Sequence, residues 1–260
     1  MEFRVLGELG VTVGGRRVGL GPAQRRVVLA ALLCRPGRRV PVERLIEAVW
    51  GAAPPRTAAK NLQVHVYHLR RLLGDGDRVR HRSGGYLLLA GDDEVDGARF
   101  ERLSAAGAQA VRSGDLPRAE RTLAAALALW RGPAFCDVAH CDTVSGEALR
   151  LDELRLTVYE TLNEVRLRTG RHRDVIAGLI GLQREHPYRE RLAGQLMTAL
   201  YRDGRRYEAL GVYQRLRTLL ADEVGVDPGA RLDRLYVTML RGEPVREGAT
   251  GWTPYRRETG

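Results

Sequence analysis

Residues Pro54–Tyr86 read PPRTAAKNLQVHVYHLRRLLGDGDRVRHRSGGY. This stretch predicts a helix of about five turns followed by a short hairpin with basic arms. Pro54 and Pro55 mark the start, with Thr57 placed to cap the helix. Gly74, Asp75 and Gly76 supply the stop. Leu62, Val66, Leu69 and Leu73 recur at steps of four, three and four, so they fall on one narrow stripe that must be buried. Lys60, Val64, Tyr67 and Arg71 lie opposite, flanked by Asn61, His65 and His68. No acid occurs between Arg56 and Gly74, whereas an ordinary solvated helix face mixes acids with bases. A polar face of Asn, His, Tyr and basic residues suits phosphate oxygens and base edges.

The charge distribution supports that reading. The chain of 260 residues has a net charge of +10, with 41 Arg and the single Lys60 as its bases. So many Arg for one Lys looks like a GC-rich genome's codon choice, and Arg abundance alone proves little. Position is more telling. Residues 1–92 hold 16 basic and 7 acidic residues, and residues 93–260 hold 26 and 25. The excess therefore sits in the first third, where a nucleic-acid footprint would lie.

The rest of that third has a simple order. Phe3, Val5, Leu6 and Leu9 lie in a strand-like start. Val11–Val13, the Gly14-Gly15 turn and Arg16–Leu20 make a hairpin. A helix runs from Pro22 to before Pro36-Gly37, and a shorter one covers Val42–Trp50. The loop Gly51–Pro55 leads into the central helix, after which Val79–Arg82 and Tyr86–Leu89 pair around Ser83-Gly84-Gly85. Three strands, three helices and a basic hairpin spell a winged helix-turn-helix.

From about Asp96 the pattern is all helical. Gly114, Gly170 and Gly204 each precede a new amphipathic helix, and the last two are 34 residues apart, the tetratricopeptide period. Counting five and nine residues on from each glycine gives Ala119, Val175 and Ala209, then Leu123, Leu179 and Tyr213. Small residues at the first position let two helices approach, and larger ones at the second fill the gap. Pro187 falls where such repeats end, and WRGPAFCDVAH (130–140) reads as an inserted loop. The expected fold is mostly α: an N-terminal α+β winged helix-turn-helix at 1–92, then an all-α tetratricopeptide-like domain at 96–242. The tail from Glu243, rich in Gly, Pro and charge, reads as disordered.

Several functions are disfavoured. GxSxG, HExxH, GxGxxG and GxxxxGK[ST] are missing, so no catalytic residue is assigned and no enzyme is expected. The six histidines do not gather at ligand spacings, and Cys34, Cys136 and Cys141 lack a CxxC pair, so no metal or cofactor is expected. Cys34 reads as core. Glu147, Asp152 and Glu153, like Glu160 and Glu164, sit among arginines and read as solvated ion pairs. No apolar run reaches the ~20 residues of a membrane span, and the acidic N-terminus does not suit a signal peptide, so the reading is cytoplasmic.

These segments also resemble a known family. NLQVHVYHLRRLL is similar to the recognition helix of OmpR-type winged helices, and RSGGYLL to their wing. Tyr67 and His68 stand where relatives more often carry Arg. AALALWRGPAFCDV, RLDELRL and HPYRERLAGQLMTALYRDGRRYEALGVYQRLRTLLADEVGVDP resemble the bacterial transcriptional activation domain, in order. Together, over roughly residues 2–242, the chain resembles a small member of the Streptomyces antibiotic regulatory protein (SARP) family. The receiver domain that usually precedes an OmpR-type module is absent from the sequence. Larger members append an NTPase and sensor region, for which this chain stops too soon.

The resemblance implies a sequence-specific transcriptional activator of a secondary-metabolite cluster. It would bind promoter direct repeats near −35 as a homodimer on double-stranded DNA and recruit RNA polymerase through its sigma factor. The DNA-binding set is Thr57, Lys60, Asn61, His65, Tyr67, His68, Arg70, Arg71, Arg80 and Arg82. Arg82 is expected in the minor groove. The loop Trp50, Gly51, Ala52, Ala53 and Pro54 would touch RNA polymerase. A tetratricopeptide adaptor that has lost DNA binding, or a repressor using the same surface, are the alternatives.

Overall fold

The computed structural model describes residues 1–74 and 77–245. Asp75 and Gly76 of the expected helix stop, and residues 246–260 of the expected tail, lie outside the described residues. The chain forms two compact units. The first holds Met1–Gln109 with Arg121–Val158, the second Ala110–Glu120 with the residues from Tyr159 onward.

The first unit opens with an antiparallel sheet of β1 (Glu2–Arg4), β2 (Gly10–Val13) and β3 (Arg16–Val18), in that order. Three helices follow: α1 (Ala23–Leu33), α2 (Val42–Trp50) and α3 (Ala58–Leu72). The strands β4 (Val40–Pro41), β5 (Val79–Arg82) and β6 (Gly85–Leu88) form a second sheet in the order β4-β6-β5. Strand β4 is too short for any sequence period to reveal it. It matters because its pairing, Val40 with Tyr86 and Pro41 with Gly85, anchors the hairpin at its base. A Cβ on Gly85 would lie 2.4 Å from the Val40 carbonyl oxygen, so the backbone approach itself demands glycine there.

Helix α3 spans 15 residues, about four turns rather than five. Its stripe is buried as read: Leu62, Val66, Leu69 and Leu73 each expose 2% or less. Thr57 precedes the helix but does not cap it. Its hydroxyl instead accepts from Asn61 Nδ2 at 3.2 Å, because φ −91° and ψ 6° turn the side chain along the first turn. Gly74, at φ +69°, supplies the stop. Helix α1 buries every residue from Val27 to Leu33 and packs on both α2 and α3.

The segment 130–140 is indeed non-helical, but it is not a solvent-facing insertion. Trp130, Ala134, Phe135 and Val138 are buried. Arg131 and Phe135 donate their backbone N–H to the carbonyls of Leu6 and Val5 at 2.9 and 2.8 Å. Asp137 accepts from the Leu9 N–H at 2.7 Å and pairs with Arg26. Asp96, only 1% exposed, accepts from the Val5 N–H at 2.7 Å and pairs with Arg131. The chain around the N-terminal strands is thus satisfied by residues some 90 to 130 positions away. That long range is why periodicity within a short window missed it.

Glu94 closes the same edge. Its carboxylate accepts from Arg78 at 2.7 Å and from the Gly91 N–H at 3.0 Å, and its carbonyl accepts from the Phe3 N–H at 2.6 Å. The Arg78 hydrogen bond, against some opposing burial, holds the carboxyl down to about 2 from 4.5. A depressed carboxyl contributes stability that is present above its unfolded value and lost as pH falls through the folded one. We therefore expect stability to decline between pH 4.5 and 2 in part through Glu94. Urea unfolding across that range should give Glu94→Gln a smaller pH slope and lower stability at neutral pH. Equal slopes in both proteins would remove Glu94 from the acid response.

The helices that follow are α4 (Asp96–Arg112), α5 (Leu116–Leu127), α6 (Asp142–Arg168), α7 (His172–Glu185), α8 (Glu190–Arg202), α9 (Arg206–Glu223) and α10 (Ala230–Leu240). The turn glycines Gly114, Gly170 and Gly204 all sit at φ between +77° and +80°, which explains their recurrence. The repeat positions are buried: Ala119, Leu179 and Ala209 at 0%, Val175 at 2%, Leu123 at 1% and Tyr213 at 6%. In the second unit α8 packs on α7 and α9, and Pro187 lies between α7 and α8.

Two of the acid readings need correction. Glu160 is 3% exposed and pairs with Arg191 at 3.3 Å, so it is a buried partner rather than a solvated one. Asp152 accepts from the Ala134 N–H at 3.2 Å, and burial raises its carboxyl. Glu147 does form an exposed pair, with Arg150, which also reaches Glu101. Cys34 terminates α1 half-buried, and burial pushes its thiol up to about 12.

Candidate nucleic-acid interface

Burying four residues on one side of α3 leaves the other side to solvent. Lys60, Asn61, Val64, Tyr67 and Arg71 are exposed, with Tyr67 at 55% and Val64 at 47%. Arg71 stacks its guanidinium 5.9 Å from the Tyr67 ring centre, and His68 meets the same ring edge-on at 5.6 Å. An aromatic flanked by a guanidinium and an imidazole is a surface that can stack and donate together. Thr57, exposed at the helix start, is engaged with Asn61. His65 and His68 are half-buried on the flank of the face.

Not every basic residue joins that surface. Arg70 lies on the far flank, and its Nε donates to the Val79 carbonyl at 2.8 Å, tying α3 to β5. Arg80 folds back on Asp77, with Nε on the carbonyl at 3.1 Å and Nη2 on the carboxylate at 3.4 Å. Arg82 is exposed at the end of β5. The hairpin closes through Ser83 and Gly84, at φ +38° and +78°, a two-residue turn with both central residues left-handed.

Arg39, which the sequence did not single out, donates to the Ser83 carbonyl at 2.9 Å and adds a second guanidinium to the hairpin tip. The basic run Arg38-Arg39 just ahead of β4 was its only signal.

Trp50 ends α2 half-buried, its ring 6.4 Å from that of His65. Gly51, at φ +62°, turns the chain out, and Gly51, Ala52, Ala53 and Pro54 are exposed. Among the described residues no group of three or more His, Cys, Asp and Glu could hold a metal ion. No helix among them is long and apolar enough to cross a membrane.

Comparison with known proteins agrees with this architecture. Residues 15–88 match the family model for the C-terminal domain of transcriptional regulatory proteins, and residues 95–240 that of the bacterial transcriptional activator domain. The regulatory protein DnrI of Streptomyces peucetius is 37% identical over 254 residues, covering 94% of this chain and 93% of DnrI. The transcriptional regulatory protein EmbR of Mycobacterium tuberculosis is 38% identical over 250 residues. The regulatory protein AfsR of Streptomyces coelicolor is 39% identical over 246. The chain spans 64% of EmbR's length and 25% of AfsR's. The solved structure of Mycobacterium tuberculosis EmbR in complex with a low-affinity phosphopeptide superimposes with a TM-score of 0.90 at 38% identity. It matches 96% of this chain and 67% of that one. An OmpR-type winged helix joined to a bacterial transcriptional activator domain, with such relatives along nearly its whole length, makes this chain a member of the SARP family of transcriptional regulators.

Proposed function

We propose that the chain is a sequence-specific DNA-binding activator whose α3 enters the major groove while the β5–β6 wing reaches the adjacent minor groove. The acid-free, exposed face of α3 is the observation that carries this reading. Lys60, Asn61, Tyr67, His68 and Arg71 divide into base readers and phosphate clamps. Arg82, backed by Arg39 at the wing tip, meets the negative potential of a narrow minor groove. Arg70, engaged on the Val79 carbonyl, contributes by tying the wing to α3, while Arg80, engaged on Asp77, braces the start of β5. The target is a promoter of a secondary-metabolite cluster, as the family's regulators suggest.

One winged helix gives a small footprint for a genome-wide search. Two protomers on direct repeats near −35 gain effective concentration on adjacent sites, provided the repeats recur at roughly 10–11 bp. The residues beyond 92 have nearly balanced charge, so they serve protein contacts more than phosphates. On this reading residues 1–92 contact DNA and residues 96–242 make the protein contacts.

The exposed loop Gly51–Pro54, stiffened by Pro54 and Pro55 and begun by Trp50, is the proposed contact with RNA polymerase and its sigma factor. In-vitro transcription with the polymerase holoenzyme tests both activation and the loop. The wild type should raise transcript from a promoter that it binds. Ala52→Glu with Ala53→Glu should abolish that gain while leaving DNA affinity within about twofold. Joint loss of affinity and activation would make the loop a support of the fold. Repression of the bound promoter would reverse the sign of the function.

A further inference from the structure

His65 differs from every other residue on the candidate DNA face in how it is held. Helical geometry puts it on the flank of α3, between the buried stripe and the exposed side. Its Nδ1 is buried and has no hydrogen-bond partner. The Trp50 ring, at the end of α2, lies 6.4 Å away at an angle of 35°. The charged or titratable groups facing the imidazole are Arg25 from α1 and His68 from α3 itself, while α2 contributes the uncharged Trp50.

That setting selects one form of the ring. An imidazolium would place a second N–H at the buried Nδ1, where nothing accepts it, and would repel Arg25. The Nδ1–H tautomer leaves the same donor stranded. The neutral Nε2–H tautomer instead leaves only a lone pair at the buried Nδ1 and carries its one N–H on Nε2. An unsatisfied buried donor is the more costly of the two orphans. Burial first, then Arg25 and His68, lower the ring's affinity for a proton in the same direction.

We propose that His65 works on DNA as a fixed, uncharged hydrogen-bond donor, oriented by Trp50, that contacts an acceptor oxygen or nitrogen of the duplex through Nε2. The proposal rests on the reading of α3 as the DNA-contacting helix. It makes Trp50 a positioning residue as well as the start of the proposed polymerase loop. It also separates His65 from Lys60 and Arg71, which bring charge.

Gln places an amide N–H near the Nε2 position, whereas Asn reaches only as far as Nδ1. The test therefore measures full-length wild type, His65→Gln, His65→Asn and Trp50→Leu on a natural promoter fragment and on a library with each base pair varied. Fluorescence anisotropy between pH 5.5 and 8 at constant salt gives the affinities. Nitrogen-15 spectra of the free protein at pH 7 report the tautomer.

The expected spectrum is a neutral ring protonated at Nε2. Gln should keep affinity within about threefold, while Asn should lose about tenfold or more, and wild type and Gln should share one pH dependence. Trp50→Leu should blur the tautomer signature and lower affinity without changing which bases are preferred elsewhere. A loss in Asn confined to one base pair would place the acceptor on a base edge, and a uniform loss would place it on phosphate. Either identifies the donor's target. An imidazolium at pH 7, an Nδ1–H tautomer, equal affinities for Gln and Asn, or a pH slope that Gln abolishes would each overturn the proposal. Failure of all four proteins, wild type included, to bind any duplex would instead overturn the reading of α3.

Discussion

Replacing Asp96 by alanine should destabilise the first compact unit by about 3 kcal/mol, the range for removing one partner of a buried pair. The carboxylate is 1% exposed, and one oxygen accepts the Val5 N–H while the other pairs with Arg131. Alanine leaves that N–H without an acceptor at Val5, which is 2% exposed, and removes the carboxylate that pairs with Arg131. Arg131 is itself 39% exposed, so much of its loss is recovered by water, and most of the effect comes from the stranded amide. Asp96→Asn keeps an acceptor for Val5 and should lose about half as much. Urea midpoints of the three proteins check this. A change below about 0.5 kcal/mol in Asp96→Ala would show that water replaces the carboxylate, against the burial seen. A chain cut after Asp92 loses Asp96, Arg131 and Phe135 together. Weak DNA binding by such a fragment would therefore mix lost stability with lost protein contacts.

The second large effect is expected on DNA. Reversing both Arg71 and Arg82 to glutamate should lower duplex affinity by at least a hundredfold at physiological salt while leaving the fold intact. Both side chains are exposed, Arg71 on α3 and Arg82 at the end of β5. The Arg71 guanidinium lies over the exposed Tyr67 ring. Alanine at each site separates their roles. A phosphate contact weakens all sequences alike and reduces the salt slope by about one, whereas a base contact is worth about 1–3 kcal/mol of discrimination at one position. Arg82→Ala should reduce affinity most on A·T-rich flanks, where the minor groove is narrow. Equal losses on G·C-rich flanks would assign it to phosphate. An unchanged affinity in the double reversal would move the DNA surface elsewhere on the chain.

Local pattern and distant contact divide what the sequence could tell. The stripe Leu62–Leu73, the helix Val42–Trp50 and the turns at Gly114, Gly170 and Gly204 were legible because each rests on spacing within a few residues. Strand β4 was not, since two residues carry no period. Thr57 satisfied the composition of a cap, but its dihedral angles sent the hydroxyl to Asn61. The ties of Asp96, Asp137 and Glu160 join segments far apart in the chain, and an acid that is paired there looks the same in sequence as one in water. The site divides likewise. The acid-free face of α3 was visible as composition, whereas the engagement of Arg70 with Val79, the support of the wing tip by Arg39 and the pocket around His65 needed three dimensions.

Footprinting of the 260-residue chain on genomic DNA, repeated across a salt series, tests whether α3 and the wing read DNA sequence. Two direct repeats about one helical turn apart, next to a promoter's −35 region, should be protected. Affinity should fall steeply as salt rises, as counterion release by several phosphate contacts requires. Half a turn of DNA inserted between the repeats should weaken binding sharply. Protection that ignores sequence, or affinity that is flat in salt, would contradict the assignment of α3 and the wing as a sequence-reading DNA surface.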